Sequence, residues 1–68
     1  MTINEALDEY EYIKDAAGDP EVAHDEEDEF REQVLQELLA GTIDEVNRDE
    51  IIRIALATSD IDFPRWCA

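Results

Sequence analysis

One stretch of this 68-residue chain holds metal-ligating residue types at helical spacing: Glu21-Val22-Ala23-His24, with Asp28 one turn further on. A Glu-x-x-His pair puts a carboxylate and an imidazole on one helical face, as in carboxylate-bridged di-metal bundles, where neighbouring helices add further glutamates. No second Glu-x-x-His is present, however, and Glu21 falls at a helix start instead of a bundle interior. A chain with 20 acids generates such spacings by chance. Glu21, His24 and Asp28 are therefore weak ligand candidates, and no metal or other cofactor is expected. An EF-hand loop with its central glycine is missing too, so loose cation condensation on residues 25–29 is the expected event. Catalytic chemistry fares no better. A nucleophile needs a base and an orienting group in reach, whereas this chain offers one histidine inside an acidic run and one cysteine, Cys67. A histidine so surrounded makes a poor general base near neutrality. The two glycines, Gly18 and Gly41, sit at helix ends and form no phosphate-cradling loop. The expectation is a protein that is not an enzyme.

The abundant chemistry is carboxylate. Twenty Asp and Glu face four Arg and a single Lys, for a net charge of −15. Residues 1–29 hold twelve of the acids and one base, Lys14; the remaining eight acids and all four arginines follow. Such a field repels nucleic acid and anionic lipid and attracts basic protein surfaces or cations. Arginines scattered over residues 31–65 make no basic patch, so direct nucleic-acid binding is disfavoured. No apolar run approaches the roughly 20 residues that span a bilayer, and the N-terminus lacks a basic and apolar leader. A soluble cytoplasmic protein (or a virion component, if viral) is expected, with Cys67 as a free thiol.

These side chains must be carried by a small core. A chain of this length has room for one domain and buries only about 60% of its unfolded surface, so a partner, self-association or high salt is expected to assist it. Periodicity predicts an all-α fold of three helices with a short extended C-terminal tail. The first helix covers about 3–17: Thr2 and Glu5 form a capping box, and Ile3, Ala6, Leu7, Tyr10, Ile13 and Ala17 draw an apolar stripe. Gly18 suits the C′ position, with Asp19 as the next N-cap and Pro20 at N1. The second helix covers about 20–40, with Phe30, Val34, Leu35, Leu38 and Leu39 on its apolar face and Gly41 as terminator. It opens with a solvated acidic turn, Asp25-Glu26-Glu27-Asp28-Glu29. The third covers about 48–58, capped at Asn47 with Val46 and Ile51 in staple positions. The tail, 60–68, is extended, since Pro64 disfavours helix at Phe63. The expected core is Leu7, Tyr10, Phe30, Val34, Leu35, Leu38, Ile51, Ile54 and Ala55.

Three readings of the acidity follow. In the first, the carboxylates are salt adaptation, as in proteins of salt-saturated cytoplasm, and the chain is a small structural or assembly subunit of a halophilic cellular or viral complex. In the second, carboxylates on a rigid helical scaffold imitate the phosphates of nucleic acid. Glu5, Asp8, Glu9, Glu11 and Asp15 lie on the outside of the first helix, and Glu21 with Asp25 to Glu29 continues their field. In size and charge, though by no sequence motif, the chain resembles the small acidic inhibitors that phages and mobile elements deploy against restriction, CRISPR or transcription machinery. That resemblance implies a nucleic-acid-binding protein as target. In the third, the chain is an antitoxin- or immunity-type partner. There the apolar third helix and the Phe63-Pro64-Arg65-Trp66 tail dock on a neighbour while the acids steer association. The partner-binding candidates are thus Asp25, Glu26, Glu27, Asp28 and Glu29 for charge, and Phe63, Arg65 and Trp66 for docking. The second reading, a non-catalytic acidic module for a basic protein surface, is the leading expectation; a homo-oligomer is an open alternative.

Overall fold

The computed structural model describes residues 1–65, and among these the protein is all-α, with three helices and no strand. Helix α1 spans Ile3–Asp15, α2 spans Pro20–Ala40 and α3 spans Arg48–Ala57. Single 3₁₀ turns follow α1 (Ala16–Gly18), precede α3 (Glu45–Asn47) and follow it (Thr58–Asp60). At 1.5 Å per residue the 21 residues of α2 extend about 31 Å. That nearly matches the 34 Å long axis of the molecule, so α2 is its spine.

Local chemistry sets most of the boundaries. The Thr2–Glu5 capping box forms in both directions, Glu5 N–H to Thr2 Oγ1 at 3.2 Å and Thr2 N–H to Glu5 Oε1 at 3.1 Å. Asp19 caps α2 ahead of Pro20, and Gly41 ends it in the left-handed region at φ 75°. Gly18 does not play the expected C′ role. Helix α1 tightens into a 3₁₀ turn, and Gly41 is the one described glycine with positive φ. The start of α3 also departs from expectation. Asn47 occupies the N-cap position, but its side-chain amide donates to Asp44 Oδ2 (2.8 Å) instead of capping the helix. Asp44 caps the preceding 3₁₀ turn through the Val46 N–H, and that turn rotates Val46 into solvent, so no staple to Ile51 forms.

The core gathers Phe30 and Val34 of α2, Ala6 and Ile13 of α1, and Ile51, Ile54 and Ala55 of α3. Met1, Ala23, Ile43, Ile61 and Phe63 complete it. Tyr10 and Leu38 pack at its margin, but Leu7 and Leu35, expected inside, are exposed. Successive helical residues step by 100°, so once Ala6 and Val34 face inward their neighbours Leu7 and Leu35 point away. The Met1 amine bonds the Glu37 carboxylate and the Thr42 carbonyl, holding the start of the chain against the end of α2. No described helix is long and apolar enough to cross a membrane.

Candidate functional site: an acidic face and an open apolar groove

The five acids of residues 25–29 are consecutive in α2 and occupy little more than one turn, so the 100° step points them in different directions. Asp25, Asp28 and Glu29 are exposed and Glu26 is half-buried, while Glu27 is only 2% exposed. Glu27 shares its helical phase with Ala23, Phe30 and Val34, all of them core residues. Burying a carboxylate demands charged partners and hydrogen bonds, and the C-terminal segment supplies them. Arg65 donates from Nε to Oε1 (3.0 Å) and from Nη2 to Oε2 (3.1 Å), a bidentate pair. Arg31 Nη2 lies 3.7 Å from Oε2.

The same two guanidinium groups satisfy the end of α3. Arg65 Nη2 also donates to the carbonyls of Thr58 (2.9 Å) and Ile61 (3.2 Å), and its Nη1 to that of Phe63 (3.1 Å). Arg31 donates to the Ala55 carbonyl and to the hydroxyls of Thr58 and Ser59. Carbonyls at a helix C-terminus have no partner within the helix, and cations are favourable there. Phe63, 5% exposed, packs into the core, with the Arg65 guanidinium carbon 3.9 Å from its ring centroid. Glu27, Phe63 and Arg65 therefore lock the C-terminal segment onto α2: Glu27 and Phe63 are buried, and the half-buried Arg65 is engaged by Glu27 and by backbone carbonyls of its own segment. Trp66 lies outside the described residues. Burial would push the Glu27 carboxyl up, but Arg65 and Arg31 outweigh burial and hold it below the ordinary carboxylate range.

Glu26, one residue earlier, is shifted the opposite way. Partial burial, then the charges of Glu29, Glu9 and Asp25, push its carboxyl up. Glu9 belongs to α1, so carboxylates of both helices converge here. Around them Glu5, Asp8, Glu11, Asp15, Asp25, Asp28 and Glu29 are exposed. Among the described residues no Lys or Arg stands within ion-pair distance of any member of this face. Arg48 and Arg53 instead engage Asp49 and Glu50 on α3. The result is an anionic surface on α1 and the first half of α2 in which the one lysine, Lys14, is exposed and forms no ion pair among the described residues.

The metal candidates are not brought into a site. His24 Nε2 lies 3.7 Å from Asp28 Oδ2, Glu21 is exposed, and no group of three ligating side chains converges among the described residues.

Periodicity did not reveal a second surface. On the side of the α2–α3 pair that α1 leaves open runs an apolar groove of about 160 Å³. Val34 and Ala55 form its floor, Leu35, Leu38, Ile52 and Leu56 its walls, and Arg31 closes one end. Leu35 is 66% exposed and Leu56 64%, and Leu39, one turn beyond Leu35, is 93% exposed. Comparison with protein-family models, with curated proteins and with solved structures finds no match to the chain.

Proposed function

We propose that this protein is a non-catalytic acidic protein-binding module that engages a basic surface of the kind a nucleic-acid-binding protein presents. The observation that carries this reading is the row of exposed carboxylates on α1 and the first half of α2, Glu5, Asp8, Glu11, Asp15, Asp25, Asp28 and Glu29, with no Lys or Arg within ion-pair distance of any of them among the described residues. Helices fix these charges at spacings of about 6 Å along each face, and like charges held together favour a cationic partner. The density of carboxylates in residues 1–29, twelve of the twenty acids, supports a binding role over general salt adaptation. Glu32, Glu45, Asp60 and Asp62 are exposed elsewhere without an ion-pair partner among the described residues. On α3 the exposed Asp49 and Glu50 carry their own arginines.

A neutralised variant, Asp25→Asn, Glu26→Gln, Asp28→Asn and Glu29→Gln, tests the proposal while leaving Glu27 in place. Both proteins are titrated against purified basic DNA- and RNA-binding domains preloaded on labelled nucleic acid. The wild type should displace the nucleic acid, and the variant should do so about tenfold less effectively. Equal displacement by the two, or none by the wild type, contradicts the reading.

An assembly-subunit role has one observation in its favour: the exposed leucines. Excluded salts strengthen apolar burial, so in a salt-rich compartment that face would be the first to be covered.

A further inference from the structure

The segment Ile61–Arg65 returns over α2 on two kinds of anchor. Ile61 and Phe63 are buried in the core, while Asp62 and Pro64 between and beyond them are exposed. The Ile61 N–H donates to the Thr58 carbonyl, and among the described residues no other backbone N–H of the segment finds a partner. Two apolar side chains are thus set against the entropy of ordering five residues, and one guanidinium group supplies the rest of the hold. Arg65 binds Glu27 through two nitrogens and closes its own segment on the Thr58, Ile61 and Phe63 carbonyls. Glu27 is the group that permits this. Without its charge, Arg65 and Arg31 would face each other across a neutral side chain, two like charges with no counter-ion between them.

From this balance we infer that Ile61–Arg65 is a strap with an electrostatic latch, opening as a unit when the Glu27 charge is lost while the three helices stay folded. The helices keep a core of their own, since Ala6, Ile13, Phe30, Val34, Ile51 and Ile54 all lie outside the segment. The charges that act on Glu27 are Arg31 on α2 and Arg65 on the strap, with the Thr58 hydroxyl beside them; Asp62 acts on Arg65 from the strap itself. His24, one turn back on α2, is turned to Asp28, and α1 and α3 bring no charge to bear on Glu27. Against the upward push of burial, the two arginines hold the Glu27 carboxyl below the ordinary carboxylate range. The closed form therefore persists from neutrality and is lost as pH falls through that lowered value. Opening uncovers Ile61 and Phe63 and returns Glu27 to solvent beside the exposed Asp28. The closed strap thus hides an apolar pair and withholds one carboxylate from the anionic surface, whatever that surface binds.

The chain has two phenylalanines, Phe63 in the strap and Phe30 in α2, so biosynthetic para-fluorophenylalanine reports on both by fluorine NMR. Phe63→Leu assigns the two signals. Spectra are taken at neutral pH for the wild type, Glu27→Gln, Glu32→Gln and the double variant Glu27→Met/Arg65→Met. The wild type and the double variant are also followed down to about pH 2, with far-UV circular dichroism at every point. In Glu27→Gln at neutral pH, and in the wild type at the acid end, the Phe63 signal should move toward its solvent-exposed position, the open population rising about tenfold or more. The Phe30 signal and the helicity should hold. Glu32→Gln, at an exposed acid of the same helix, should leave both signals in place. The double variant exchanges the ion pair for an apolar contact and should lose the pH dependence of opening. A Phe63 signal unmoved both in Glu27→Gln and in acid overturns the strap. Movement of Phe63 and Phe30 together, with loss of helicity, makes the segment inseparable from the helical core and overturns it too. A double variant that still opens with falling pH overturns Glu27 as the latch.

Discussion

At the scale of single residues, Glu26 and Glu27 show what a helix does with adjacent identical side chains. One is held among like charges, the other between two guanidinium groups. Their neutral variants should therefore move stability in opposite directions. Glu27→Gln leaves Arg65 and Arg31 facing an amide and should cost about 2 kcal/mol in urea unfolding, toward the low end for buried pairs because both arginines can rehydrate. Glu26→Gln relieves repulsion and should gain about 0.3 kcal/mol. The pH dependence follows from the same shifts. A carboxyl pushed up takes its proton in the folded state first, so Glu26 adds stability as pH falls through its folded value. Glu27 and Glu37 are held low, Glu37 by the Met1 amine and Gln33. Their stabilisation is complete above the unfolded carboxylate value and is lost as pH falls through the folded ones. Melting temperature should thus rise on mild acidification as Glu26 takes its proton, and drop once pH falls through the folded values of Glu27 and Glu37. A steady fall from pH 7 downward contradicts this account. Composition places Glu27 in a solvated acidic turn, although it shares one face with Ala23, Phe30 and Val34, and that phase buries it. Its partner was not legible, because no local pattern says that residues 58–65 return Arg65 to α2.

At the scale of elements, legibility tracks locality. The Thr2 box, Asp19-Pro20 and Gly41 act within four residues of themselves, and each marks a helix end as read. The staple at Val46 failed because Asp44 and Asn47 bond each other in a 3₁₀ turn, a competing local solution. Leu7 and Leu35 were misplaced because an apolar stripe is broader than the core it faces, and a 100° step decides which edge is buried. The two glycines divide the same way. Gly41→Ala should cost about 1 kcal/mol, since φ 75° strains any Cβ. Gly18→Ala, with a negative φ and open space around its Cα, should be neutral or gain about 0.5 kcal/mol in thermal unfolding. Equal losses at both positions would contradict the assigned helix ends.

At the scale of the whole molecule, α1 and the first half of α2 carry exposed carboxylates, while the second half of α2 and α3 carry exposed leucines. The core and the Glu27–Arg31–Arg65 node hold that arrangement together against the self-repulsion of fifteen excess charges. On the proposed reading, a fold so held forms without high salt. Thermal melts by far-UV circular dichroism, in KCl from about 0.05 M to about 3 M, test this most directly, because the Debye length shrinks severalfold across that range. The account predicts a cooperative helical transition already at the lowest salt, with a modest rise in melting temperature as the repulsion is screened. Helicity and cooperativity that emerge only near molar KCl would contradict it, and would make the carboxylates an adaptation to salt instead of a surface for a basic partner.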